Sequence, residues 1–142
     1  MQNYGGGDMA GDANEGMILL DVTSGRGAFD EDLLGRFGHT VKVCHGPDHG
    51  ALCPLLAGKG CEDFENAHGV LFELDLDRPQ HRTILRRYRD LARPEVPIRA
   101  IVTSDQAARY ADLLVDIGVL THDPSVADLD GFASQVEAAD RV

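Results

Sequence analysis

A chain of 142 residues, 43% hydrophobic and 26% charged, suits one domain and buries a core without disulfide staples. Thirteen Lys and Arg against 24 Asp and Glu leave a formal charge of -11. That surplus disfavours nucleic acid and anionic membrane as partners of the surface as a whole.

Residues 1–16, "MQNYGGGDMAGDANEG", are rich in Gly, Asp and Asn without periodicity, so a disordered tail is expected before a single domain over 17–142. The segment has neither the basic nor the apolar region of a secretory signal. No apolar run in the chain approaches membrane-spanning length. A cytoplasmic protein is expected. The three cysteines are then expected to stay reduced rather than form a disulfide framework.

"MILLDV" (17–22) is a continuous apolar run ending in an acid, as in a buried strand. "DEDLLGRFGH" predicts a short helix with Asp30 as cap, Phe29 and Leu34 as flanking staple, and Gly38 as terminator. "TVKVC" (40–44) alternates with period two and predicts a second strand. A Cys-rich loop follows, with a short helix near 62–67. "GVLFELDL" (69–76) predicts a third strand. "RPQHRTILRRYRDLA" predicts the strongest helix, with Ile84, Leu85, Tyr88, Leu91 and Ala92 on its apolar face and Pro79 in its first turn. "IRAIVTS" (98–104) predicts a fourth strand. "DQAARYADLLVDIG" predicts a helix capped by Ser104 or Asp105, with Ala107, Tyr110, Ala111 and Leu114 inward. "GVLTHD" (118–123) predicts a fifth strand. "SVADLDGFASQVEAA" predicts a last helix opened by a Ser125–Asp128 capping box.

Strand and helix therefore alternate five times. Short connections between apolar strands require a parallel sheet with right-handed crossovers and helices on both faces. The expected architecture is a flavodoxin-like α/β three-layer sandwich, strand order 2-1-3-4-5. Functional groups gather at the carboxyl ends of such strands.

The order of elements over residues 17–139 resembles the receiver domain of bacterial response regulators. In "LDLDRP", Asp75 precedes Pro79 by four positions, as the phosphorylated Asp of receivers precedes its proline. Asp21 ends the first strand, where receivers hold metal-binding acids, and Thr103 ends the fourth, where they hold the switch hydroxyl. The resemblance implies a phosphoryl and Mg²⁺ site on Asp21, Asp75, Asp77 and Thr103. The departures are specific. "DVTS" supplies one acid where receivers have two, and "THDP" carries Asp123 where receivers have lysine. A third acid would repel a phosphoryl anion. The expectation is a receiver-like regulatory or protein-interaction module without ordinary phosphotransfer. Its expected partner is another protein or a second copy. An enzyme using Asp21 and Asp75 around a divalent ion is a further alternative. Asp75 also reads as a solvated loop acid, and Asp77 and Thr103 as helix caps.

"VCHGPDHGALCPLLAGKGCED" (43–63) holds Cys44, Cys53 and Cys61, with His45 and His49 among them. The close pairs of a zinc knuckle are missing, and so are ferredoxin spacings. Three thiolates and an imidazole nonetheless suit zinc in number and softness, and the glycines and prolines permit sharp reversals. Three readings stay open. They are a Zn or Fe–S site on these five residues, a redox pair of Cys53 and Cys61, and cysteines that serve as small core hydrophobes. The connection is long for this fold class, as binding loops often are.

"SGRG" after the first strand lacks a phosphate-loop pattern and reads as a turn. Arg82, Arg86, Arg89 and Arg93 share one helix face. That stripe suits either an acidic partner or a solvated surface.

Overall fold

The computed structural model describes residues 17–23, 26–49 and 53–140. The expected tail 1–16 lies outside the described residues, as do Ser24 and Gly25 of the "SGRG" turn. Five strands form one sheet: β1 (Ile18–Val22), β2 (Val41–Cys44), β3 (Gly69–Glu73), β4 (Ile98–Ile101) and β5 (Gly118–Leu120). All pairings are parallel, in the order β2-β1-β3-β4-β5. This is the expected 2-1-3-4-5 order.

Five helices connect and follow them: α1 (Ala28–Arg36), α2 (Glu62–Glu65), α3 (Pro79–Leu91), α4 (Ser104–Arg109) and α5 (Val126–Asp140). A single 3-10 turn, Gly46–His49, follows β2. None of the helices among the described residues is long and apolar enough to cross a membrane.

Side chains alternate across β1, and the alternation divides the core. Ile18, Leu20 and Val22 join Leu34 of α1 and Leu129, Phe132 and Val136 of α5 in one layer. Leu19 joins Phe64 of α2 and Ile84, Leu85 and Tyr88 of α3 in the other. Phe64 stacks on Tyr88 with ring centroids 4.3 Å apart. Each fully buried aliphatic or aromatic side chain in these layers contributes about 1.5–3 kcal/mol by leaving water.

Several local expectations give way to packing. Helix α1 starts behind Gly27, at φ 95, so Asp30 lies inside the first turn and caps nothing. Phe29 is 56% exposed and forms no staple. Gly38, at φ 94, does end the helix, in a left-handed conformation that suits glycine. Strand β3 stops at Glu73, leaving Asp75 two residues beyond it. Asp77 does not cap α3, whose N-cap is Arg78. Leu91 is exposed rather than inward.

The long fourth helix is only six residues. Its cap is Thr103, not Ser104 or Asp105, and Tyr110 leaves helical geometry at φ -112, ψ 29. The chain then descends through turns, with Ala111 exposed and Asp116 at φ 64. Leu113 and Leu114 still reach the core. The capping box of α5 forms as expected: Ser125 N–H donates to Asp128 Oδ2 (2.9 Å) and Asp128 N–H to Ser125 Oγ (3.1 Å).

Candidate functional site

The carboxyl edge of the sheet carries two separate groups of polar side chains, one for each core layer. The first opens on a polar cleft of ≈ 660 Å³ between the ends of β1, β3, β4 and β5. Thr23, Arg26, Glu73, Asp75, Thr103, Thr121 and Asp123 are among its walls. Glu73 ends β3 on the α1 side of the sheet, beside buried Asp30. Burial and that neighbouring carboxyl push the Glu73 pKa up to about 9, against the pull of Arg26. Arg26 also reaches Asp123 at 3.6 Å, between exposed side chains. The basic residue after β5 that receivers supply is thus an acid here, and the arginines of the cleft, Arg26 and Arg78, come from the loops after β1 and β3.

Asp75 sits on the rim of this cleft in a dense hydrogen-bond network. His81 is buried on the apolar stripe of α3, and its Nδ1 accepts the Asp75 N–H at 2.8 Å. Asp75 Oδ1 accepts from Asp77 N–H (3.0 Å) and from Gln106 Nε2 (3.0 Å). Gln106 Nε2 also donates to Asp77 Oδ2 at 3.2 Å. Gln106 is buried, and its amide oxygen accepts the Thr103 N–H (3.1 Å) while its own N–H donates to Thr103 Oγ1 (3.0 Å). One side chain therefore caps α4 and fastens the β3–α3 loop. Asp77 further accepts from Arg109 Nη2 (2.8 Å) and the Tyr110 hydroxyl (3.0 Å). Gln106 first, with Tyr110 and Arg109, holds its carboxyl below the usual range.

The second group lies on the opposite face. Asp21 is on Leu19's side of β1, pairs in register with Cys44 of β2, and does not line the polar cleft. The expected grouping of Asp21 with Asp75 is therefore not formed. Asp21 is 1% exposed, and no donor completes a hydrogen bond to either carboxylate oxygen. Burial raises its pKa from 3.8 to about 7, although the Tyr88 hydroxyl and Cys44 thiol face it and pull the other way. Burial and then Asp21 push the Cys44 thiol up to about 11. Burial also raises Cys61.

Cys44, Cys53 and Cys61 are free thiols, each partly buried against the same core layer. Among the described residues no group of three or more His, Cys, Asp and Glu side chains is already arranged to hold a metal ion. His45 turns away: its Nδ1 bonds the Val22 carbonyl at 3.0 Å. His49 closes the 3-10 turn, and its side chain is outside the described set.

The arginine stripe on α3 is largely engaged within the chain. Arg82 donates to the Leu76 carbonyl (2.8 Å) and lies over the Tyr110 ring, 5.2 Å from its centroid. Arg89 reaches the carbonyls of Asp112 and Leu113 at 3.2 and 3.1 Å. Arg93 lies beyond the end of α3, after Ala92 turns extended, so it is off the expected helix face, and it reaches the Ala67 carbonyl at 2.9 Å. Arg86 is exposed.

Sequence reasoning missed Glu73, His81, Gln106 and Tyr88 as site residues. Two signals were present. Glu73 interrupts the apolar run of "GVLFELDL", and His81 falls three and four residues before the buried Ile84 and Leu85. Gln106 occupies the N3 position of a capping box, which a search for Ser or Asp caps passes over.

No family model matches the chain, and no curated protein matches it. Solved structures do. A response regulator receiver domain protein (CheY-like) from Methanospirillum hungatei JF-1 superposes with a TM-score of 0.59 at 14% identity, over 88% of this chain and 95% of that one. An adenylate cyclase from Rhodopirellula baltica superposes with a TM-score of 0.59 at 14% identity, over 89% of this chain and 90% of that one. At such identities the likeness is one of fold. The chain has a receiver-like, flavodoxin-like α/β fold.

Proposed function

We propose that this chain is a non-enzymatic regulatory or protein-interaction module, a receiver-like domain without ordinary phosphotransfer. The supporting observation is the network centred on Gln106. It engages one oxygen, Oδ1, of the half-exposed Asp75 carboxylate, and the Thr103 hydroxyl is used to cap α4. A phosphoacceptor needs a carboxylate open to in-line attack, and a switch hydroxyl needs to be free to move toward the phosphoryl oxygens. The cleft around them lacks a lysine, and its two arginines, Arg26 and Arg78, face Asp123 and Asp75. The partner is another protein or a second copy of the chain. The charge of -11 disfavours nucleic acid.

Incubation with a small phosphodonor and Mg²⁺, followed by intact mass measurement, tests this. The expected result is an unchanged mass. A phosphoryl adduct that disappears in Asp75→Asn overturns the reading. Sedimentation velocity over a range of concentrations separates the two kinds of partner. A mass that stays monomeric throughout assigns the interaction to another protein.

A further inference from the structure

We propose that Asp21, Cys44, Cys53 and Cys61 form a four-coordinate zinc(II) site, closed by the turn Pro54–Gly60 folding over the ends of β1 and β2. The fixed half is already built. Asp21 and Cys44 are register partners on adjacent strands, so their side chains stand side by side on one face, about 5 Å apart at the backbone. Asp21 is the second and independent observation. It is a carboxyl 1% exposed, and neither oxygen completes a hydrogen bond, although the Tyr88 hydroxyl and the Cys44 thiol face it. No basic side chain is among the groups that act on it. A carboxylate in that position calls for a cation or a proton.

The movable half is the segment that carries the other two thiols. Cys53 and Cys61 bracket a turn whose residues are exposed except for Leu55, which is buried, and Leu56, which is half-buried. Gly58 is at φ 80, with open space around it. Both cysteines already pack against the layer that holds Tyr88 and Cys44. Three well-separated points of the chain thus bring thiols to one interior face, with an unsatisfied carboxyl beneath them.

The donor set selects the ion. Three thiolates and one carboxylate match zinc in number, charge and softness, and the groups acting on Asp21, Cys44 and Cys61 are acids, without a lysine or arginine to compete. The donors are not preassembled, so binding is coupled to closure of the turn. Of the histidines first considered, His45 is committed to the Val22 carbonyl. Asp21 takes the fourth position instead.

The test uses the full chain, purified under reducing conditions without chelator. Metal analysis is expected to give about one zinc per chain, with thiols that react with Ellman's reagent only after chelator is added. Replacement of the zinc by Co²⁺ is expected to give sulfur-to-cobalt charge-transfer absorption and the intense visible bands of a tetrahedral thiolate site. Cys44→Ser and Cys61→Ser are expected to lose that absorption, and Asp21→Asn to weaken Co²⁺ binding and shift the visible bands. Circular dichroism on each variant separates loss of metal from loss of fold. Under about a tenth of an equivalent of zinc after incubation with Zn²⁺, with all three thiols freely titratable, overturns the site. Stoichiometric iron in the purified protein overturns the choice of metal. An Asp21→Asn variant with an unchanged Co²⁺ spectrum and affinity removes Asp21 from the ligand set.

Discussion

Asp21, next to last in β1, and Glu73, last in β3, are one residue apart in register, since Asp21 pairs with Phe72 and Val22 with Glu73. That single step sends the two carboxyls to opposite faces of the sheet. Asp21 meets thiols and Tyr88, whereas Glu73 meets Asp30 and the open cleft. The Glu73 pKa, raised from 4.5 to about 9 by burial first and Asp30 second, makes stability depend on pH. In that interval the folded chain keeps a proton that the unfolded chain has lost. The stability contributed by neutral Glu73 is full below about 4.5 and disappears as pH rises through about 9. Glu73→Gln removes this titration. Chemical denaturation of both proteins from pH 6 to 9.5 is expected to show wild type losing more stability than the variant. Parallel losses would mean that Glu73 ionises freely in the folded state.

At the scale of elements, α4 shows how a short helix is held. Six residues are too few for a helix to be stable alone. The Thr103–Gln106 box satisfies two orphan amides, and the Gln106 amide then ties the helix to Asp75 and Asp77. Arg89 and Arg82 fasten the following turns to α3 through backbone carbonyls and the Tyr110 ring. Thr103→Ala removes the cap and is expected to lower stability by about 1 kcal/mol, measured by urea denaturation. Hydrogen exchange should rise in α4 and in the Asp75–Arg78 turn together, because Gln106 joins them. A rise confined to α4 would show that the link carries no energy.

At the scale of the whole molecule, two core layers share one sheet, and α5 closes the layer of Ile18, Leu20 and Val22. Gly69 opens β3 beneath α5, where an added Cβ would stand 2.5 Å from Val136 Cγ2 and 3.2 Å from Phe132 Cζ. Helix and strand can approach this closely only because the side chain is absent. Gly69→Ala is expected to cost about 1–3 kcal/mol and to lower the thermal midpoint, with near-UV and far-UV signals still melting together. If the far-UV signal outlasted the near-UV one, α5 would be shown to unfold apart from the sheet.

The parallel direction of the strands was legible in the chain itself. Five apolar runs joined by short helical connections leave parallel pairing with right-handed crossovers as the consistent arrangement. The capping box of α5 and the glycine after α1 were likewise local chemistry, readable within four residues. Element ends were less so: β3 stops at Glu73 and α4 at Arg109 because tertiary contacts there override propensity. The grouping of site residues was beyond the sequence altogether. Whether Asp21 stands with Asp75 or with Cys44 depends on strand register and on the side chains' alternation about the sheet. Those are set by which hydrophobic face each helix covers, and only the folded molecule brings these faces together.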